Sequence, residues 1–482
     1  MTTRRELLAG LSAIAGAANV LWRHEDLIVY EFDGTIEKKL PYAVVFPDGA
    51  EQVAAVVRLC NALGFAITPR GAGTGLSGGA VPAQRGVVIA TARMRRILEV
   101  DPVDRVAVVE PGVPNIQLTE AAAEHGLFYA PDPSSQKACT IGGNVAENAG
   151  GPHCLALGVT TNHVLGIEVV TADGEIVWLG GRTMDAPGYD LRGGFIGSEG
   201  TLGVVTKVVV RLLPVPESVV TLLGIFNSVE EASVTVGAII SSGLIPAAIE
   251  MMDRVTLQAA EAGLQCGYPA DAGAVLLVEF DGIPEVIESQ ATAARAACFE
   301  AGASEVRVAR DAAERERLWK GRKGAIGALG RIAPNYYILD GVVPRSRLVT
   351  VMAGVDEIVS RYGLQVANVF HAGDGNLHPC VVFDERVPGT LERVLAAGAE
   401  IMKVCVDAGG SLTGEHGVGY EKNKFMPWLY SEVDLENMGR IRAVFGNHGR
   451  FNPCKLLPAG SGCGEMAHND AAMRAAGPDA YV

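Results

Sequence analysis

No two cysteines in this chain stand in C-x-x-C spacing, although nine are scattered through its 482 residues. The chain therefore offers no ligand set for an iron–sulfur cluster, and an odd, dispersed set of thiols reads as reduced and cytoplasmic. Positive charge is also short. The 40 Lys and Arg are outnumbered by 55 Asp and Glu, and the net charge of -15 argues against nucleic acid or an anionic membrane as the main partner. No run reaches the roughly 18–20 apolar residues of a membrane span, so no transmembrane segment is expected. No G-K-[ST] follows a glycine loop, which excludes a P-loop, and no haem motif or second nucleotide site is visible.

What is present suits a compact protein: 49% apolar residues and only 20% charged. The length implies two or more domains, each with its own core. At the N-terminus, Arg4-Arg5 before the apolar run Leu7 to Leu21 imitates a twin-arginine export signal. Glu6 breaks the basic stretch such a signal keeps. Leu7, Leu11 and Ile14 share a helical face, so the spacing predicts an amphipathic helix running on into His24-Glu25-Asp26.

Tyr42 to Phe46 reads as a strand, Val53 to Leu63 as a helix and Ala66 to Pro69 as a strand. The loop Arg70-Gly-Ala-Gly-Thr-Gly-Leu-Ser-Gly-Gly79 follows, with five glycines in nine residues. It matches G-x-G-x-x-G, but another strand, Gly86 to Thr91, comes next rather than a helix. The loop is thus a nest of backbone N–H groups fit to wrap a pyrophosphate, not a Rossmann turn. A second glycine-rich stretch, Pro131 to Pro152, reads as loop with small, flat, polar lining. His163 to Thr171 and Ile176 to Gly180 predict a hairpin, and Leu202 to Leu213 a long strand. Pro214 and Pro216 mark a boundary.

Beyond it, Ser228 and Glu231 predict a capping box for a helix to about Ser242. Strands at Ala274 to Phe280, Val306 to Ala309, Tyr336 to Val342, Leu364 to Phe370 and Val381 to Phe383 alternate with helices, and a last helix spans about Asp434 to Phe445. The fold class is α+β. The division expected is an N-terminal helical segment 1–40, a first domain 41–216, a second 217–455, and an irregular tail 456–482.

Two short stretches concentrate chemistry. Val369 to Cys380 holds His371 and His378 around a Gly-Asp-Gly-Asn turn, and Gly414-Glu415-His416-Gly417 adds a carboxylate and a third imidazole. His371, His378 and Glu415 have the composition of a catalytic divalent site. His416 is then free to act as a base.

With PRGAGTGLSGG, TIGGNVAENAGGP, GSEGTLGVVT, NVFHAGDGNLHP and GEHGVG in this order, the chain from about Pro41 to Lys455 resembles the flavin oxidoreductases of the vanillyl-alcohol-oxidase / para-cresol-methylhydroxylase superfamily. The likeness is strongest to its glycolate oxidase branch, with D-lactate and D-2-hydroxyglutarate dehydrogenases as relatives. The resemblance implies FAD between two α+β subdomains of a first domain, under a ferredoxin-like cap. It carries the pyrophosphate to Arg70, Gly71, Ala72, Gly73 and Thr74, with Ser77 nearby. It carries the flavin to Thr140, Gly142, Gly143, Asn144 and Gly150, with Pro131, Gly200, Val204 and Asn452 completing the set. Thr74 stands where relatives with covalent flavin have His, so noncovalent FAD is expected. His371, His378 and Glu415 become ligands of zinc or manganese, His416 the base and Arg322, in Trp319-Lys320-Gly321-Arg322-Lys323, the clamp for a substrate carboxylate.

Ile326 and Gly327 leave a second carboxylate poorly served, which favours glycolate or D-lactate over 2-hydroxyglutarate. Asn376 is a further polar candidate. Electrons must leave the flavin for a partner, by resemblance an iron–sulfur subunit, and any membrane association would come through such partners. Two rivals stand beside this reading. A non-haem iron oxygenase using the same His371/His378/Glu415 triad leaves both glycine loops unexplained. A flavin-bearing assembly scaffold would not be reduced by a hydroxy acid.

Overall fold

A computed structural model describes residues 2–183, 187–446 and 449–458. The tail expected from 456 therefore lies, beyond residue 458, outside the described residues. The fold is α+β, as the sequence implies.

The N-terminal helix Thr2–Ala15 forms, and it buries Leu7 and Leu11 completely against the helix Ala50–Leu63. It does not run on to His24. Gly16, at φ 85°, ends it in a conformation that side chains resist. Among the described residues no helix is long and apolar enough to cross a membrane.

Three larger sheets follow, beside a two-stranded one formed by Leu213–Pro214 and Leu127–Phe128. In the first, the strands Ala43–Val45, Val87–Ala90 and Ile67–Arg70 are parallel, and the helix Ala50–Leu63 makes the crossover between the outer two. The second is antiparallel, in the order Ile97–Asp101, Val106–Val109, Gly203–Arg211, Val164–Thr171, Ile176–Gly180. It contains the expected hairpin. Val170 and Val204 from this sheet join the core of the first.

The third sheet has the long strands Ser218–Phe226, Ala248–Asp253, Ala274–Gly282 and Gln365–His371 at its centre. Helices cover both of its faces, so its strands read as continuous apolar runs rather than alternating ones. Leu222, Met251, Leu276 and Phe370 point to one core, and Leu223, Met252, Leu277 and Val369 to the other. This parity places the site. Glu250 lies two residues before Met252, and His371 two after Val369. Both therefore face the side covered by the helix Ala312–Ala328, which carries Arg322.

Ser228 caps its helix, accepting from the Glu231 amide at 3.1 Å, but the Glu231 carboxylate takes the amide of Asn227 instead of closing a box on Ser228. The second glycine stretch is not all loop. Ile141–Glu147 is a helix, capped by the Thr140 hydroxyl and ended by Asn148 in the left-handed region. Glycine disfavours helix, but here it is needed: a Cβ on Gly142 would press on Pro111 at 2.5 Å.

After the last helix the chain returns to the first sheet. Arg450 O accepts from Ile67 N (2.8 Å), and Asn452 N donates to Ile67 O (2.7 Å). The buried Lys455 Nζ then reaches Val81 O at 2.6 Å.

Candidate active site

One cleft gathers most of the candidate residues. Arg70, Gly71, Ala72, Gly73 and Thr74 line one wall. Thr140, Gly142, Gly143, Asn144, Gly150, Gly200 and Val204 line the next, and Arg322, His371, His378, Glu415 and His416 the side facing them.

Three candidates stand behind the walls. The Ser77 carbonyl receives the Tyr420 and Glu421 amides. The Pro131 carbonyl receives Asn115 Nδ2 at 2.9 Å. Asn452 Nδ2 ties Gly79 O (2.8 Å) to Glu199 O (2.6 Å). Asn376 packs under Gly414, where any Cβ would collide with its amide.

The walls fit a nucleotide cofactor in a particular way. At the helix Ile141–Glu147 the first three amides are already taken, by Val113 O, Pro111 O and Thr140 Oγ1. Among the described residues, the amides of Ala72, Gly73, Thr74 and Gly75 find no protein acceptor. The loop, not the helix end, thus holds free N–H groups for a diphosphate.

Arg70 braces this loop rather than reaching into it. Its Nη1 donates to Phe32 O at 2.7 Å, and its guanidinium lies 5.5 Å from the centre of the Tyr30 ring.

On the opposite side, His371 is the cross-strand partner of Glu250. Its Nδ1 sits 2.8 Å from Glu250 Oε1 and its Nε2 3.1 Å from Glu415 Oε1. Burial works against charge on this ring, but the two carboxylates outweigh it and raise it to about 10. Burial also opposes charge on Glu415, yet His371, His378 and His416 bring it down to about 2.

His378 Nε2 lies 3.4 Å from Asp340 Oδ1 and 3.6 Å from the same Glu415 oxygen, buried and without a hydrogen bond to either. A buried imidazole nitrogen left unpaired beside a second imidazole and a carboxylate suits a divalent cation, and all three donors fall within 4.8 Å of one another. Glu250 then fills the outer role usual for a carboxylate behind a ligating histidine.

His416 stacks on His378, with centroids 4.8 Å apart and planes at 10°. Its Nε2 is 3.8 Å from Glu415 Oε1. Burial, only partly countered by Asp340, lowers this ring to about 4 and keeps it neutral. Neighbouring residues on an extended strand would point apart, but the turn at Gly414 and Gly417 brings Glu415 and His416 to one cleft.

Arg322 is almost fully buried, and its Nη2 makes a 2.5 Å ion pair with Glu250 Oε2. Its Nε is buried and unpaired.

Sequence reasoning missed Glu250, Asp340 and Lys422. The signal for the first two was an acid inside an apolar strand, as in AIEMMD and YILDGVV, where an unpaired charge is costly. Lys422, whose Nζ lies 3.2 Å from Asp340 Oδ2, carried no such signal.

A second polar cluster ties the two halves together beside the cleft. His153 lies between Asp132 (2.9 Å) and Glu279 (3.3 Å), Lys323 adds a 3.1 Å contact to Asp132, and Trp319 Nε1 donates to Glu279 at 2.6 Å.

Comparison with known proteins shows the family. Residues 41–180 match the model of an FAD binding domain, and residues 215–456 that of the C-terminal domain of FAD linked oxidases. The glycolate oxidase subunit GlcD of Escherichia coli is 46% identical over 464 residues, covering 96% of this chain and 93% of that protein. Its Bacillus subtilis counterpart is 38% identical, covering 93% and 96%. A D-lactate dehydrogenase of Archaeoglobus fulgidus is 33% identical, covering 89% and 95%. The solved structure of p-cresol methylhydroxylase with substrate bound superposes with a TM-score of 0.81 at 18% identity, over 95% of this chain and 98% of that one.

Proposed function

The chain belongs to the FAD-linked oxidases, and from that premise we propose that it oxidises a small 2-hydroxy acid, glycolate or D-lactate, to the 2-oxo acid. The observation that carries this reading is the convergence of Arg322, His371, His378, Glu415 and His416 on the cleft that the glycine loops also line. FAD held by the 70–75 loop and the 140–150 segment supplies the hydride acceptor, and a zinc or manganese ion on His371, His378 and Glu415 supplies a Lewis acid for the hydroxyl.

The protein's own groups do the rest. His416, neutral and buried, takes the hydroxyl proton. Arg322 keeps one side on Glu250 and turns its unpaired Nε toward the substrate carboxylate. Ile326 and Ile338 give the wall beside it an apolar surface. A second carboxylate set against that apolar surface would be poorly solvated, which disfavours 2-hydroxyglutarate. Thr74 offers no imidazole of the kind that links a flavin, so FAD is held noncovalently. The Escherichia coli and Bacillus subtilis relatives are named as subunits, and we place this chain in an assembly of that kind, passing electrons to an iron–sulfur partner.

The test is anaerobic flavin reduction by a panel of D- and L-2-hydroxy acids. Glycolate or D-lactate should bleach the oxidised flavin fully, and 2-hydroxyglutarate should be at least about tenfold less efficient. Equal efficiency on the dicarboxylate overturns the substrate reading. No reduction by any hydroxy acid overturns the activity.

A further inference from the structure

Lys323 follows the clamp residue in sequence and lines the same cleft. Among the described residues, three permanently charged cations line that cleft, and the other two are committed. Arg70 is held on Phe32 O, and Arg322 on Glu250. Arg322 is also sunk, its side chain 2% exposed, whereas that of Lys323 is 34% exposed. On the helix Ala312–Ala328 both stand one turn beyond Trp319, at i+3 and i+4, and so flank one side of it. A carboxylate entering from solvent therefore meets Lys323 before Arg322.

Lys323 has a partner, but one that can spare it. Its Nζ lies 3.1 Å from Asp132 Oδ2, in the loop that also brings Pro133, Ser134 and Ser135 to the cleft. The same oxygen meets His153 Nδ1, closer at 2.9 Å, and the His153 amide approaches Oδ1 at 3.4 Å. Burial works against charge on Asp132, but His153, ahead of Lys323, holds it down to about 2. Asp132 thus keeps a cation when Lys323 leaves. The ammonium, for its part, keeps the Trp319 ring, whose centre is 5.9 Å away and whose Nε1 is pinned to Glu279.

The chain as a whole carries a net charge of -15, a field that repels a small anion. A solvent-facing ammonium beside the clamp reverses that field where the anion must pass.

We propose that Lys323 is the recruiting residue of the cleft: it releases Asp132, takes the carboxylate of the incoming hydroxy acid and delivers it to Arg322. This rests on the reading of the substrate as a 2-hydroxy acid and of Arg322 as its clamp. The competing role is a plain tie, because the same ion pair joins the two halves of the molecule.

Two substitutions separate these roles. If the pair is only a tie, Lys323→Met and Asp132→Asn break the same contact and act alike. If Lys323 recruits, they act in opposite directions, since Asp132→Asn removes the competitor for its ammonium.

The experiment follows anaerobic flavin reduction of the holoenzyme by glycolate and D-lactate in a stopped-flow instrument, at low and high sodium chloride. It yields a limiting rate and a half-saturating concentration. Lys323→Met should raise the half-saturating concentration roughly tenfold, the loss of one charged contact, and hold the limiting rate within about threefold. Lys323→Arg should recover most of that loss. Asp132→Asn should lower the half-saturating concentration. Salt should raise the native value and leave that of Lys323→Met nearly flat.

A rise in both Lys323→Met and Asp132→Asn marks a tie and overturns the proposal. So does an unchanged half-saturating concentration in Lys323→Met, or a loss confined to its limiting rate. If Lys323→Met does not fold, a native value indifferent to salt or a rise in Asp132→Asn overturns it alone. Native flavin that no hydroxy acid reduces sinks the activity beneath it, which none of the other outcomes does.

Discussion

His378 and His416 lie face to face, 4.8 Å apart, and their surroundings divide the work between them. His378 Nε2 lies between Glu415 Oε1 (3.6 Å) and Asp340 Oδ1 (3.4 Å) and completes a donor group with His371, whereas His416 turns its Nδ1 to Asp340 at 3.9 Å. Replacing His378 or Glu415 with Ala should therefore remove bound zinc or manganese together with activity. His416→Ala should retain metal and FAD and lose turnover by roughly 10²–10⁴-fold, the range of a general base. Elemental analysis beside steady-state kinetics separates the cases, and metal loss from His416→Ala with retention in Glu415→Ala would swap the roles. These imidazoles were legible in the sequence because glycine-rich turns announced them. Glu250 and Asp340 were not, because which imidazole an isolated buried acid faces is decided only by strand register and by the return of the chain at 413–417.

The glycine loop shows what one element demands of its backbone. Gly73 sits at φ 72°, and a Cβ there would run into the Arg70 guanidinium, itself pinned on Phe32 O and the Tyr30 ring. Gly73→Val must displace either the loop or its brace, so the variant should purify without flavin. Full flavin absorbance per chain would show that the loop does not hold the cofactor. Elements were legible where pattern and packing agreed, as in the third sheet, whose apolar strands are covered on both faces. The helix Ile141–Glu147 was not, since its glycines suit close contact with Pro111 and lower helix propensity at the same time.

Across the whole molecule, His153 joins the halves through Asp132 and Glu279. Burial opposes its charge, but these two carboxylates prevail and raise it to about 10, against about 6.5 in an unfolded chain. The stabilisation is fully present below pH 6.5, shrinks as pH rises toward 10, and is gone above. Its slope is at most about 1.4 kcal/mol per pH unit. The thermal midpoint of native protein should thus exceed that of His153→Gln at pH 7, with the gap narrowing by pH 9.5. Other groups titrate in this window, Lys455 among them at about 8, but both proteins share them. A gap that stays constant means that His153 carries no charge in the fold.

The return of residues 450–455 to the first sheet has a consequence in time. A ribosome delivers these residues after everything they complete: the partners of Ile67 N and O, of Gly79 O and of Val81 O. A nascent chain can assemble its parallel strands and its glycine loop early, yet the cradle stays open along one edge until Asn452 and Lys455 emerge. The cofactor site is begun by residues 67–79 and closed only by residues 450–455, so a chain halted before Arg450 carries every glycine of the loop and still lacks the clasp that holds it.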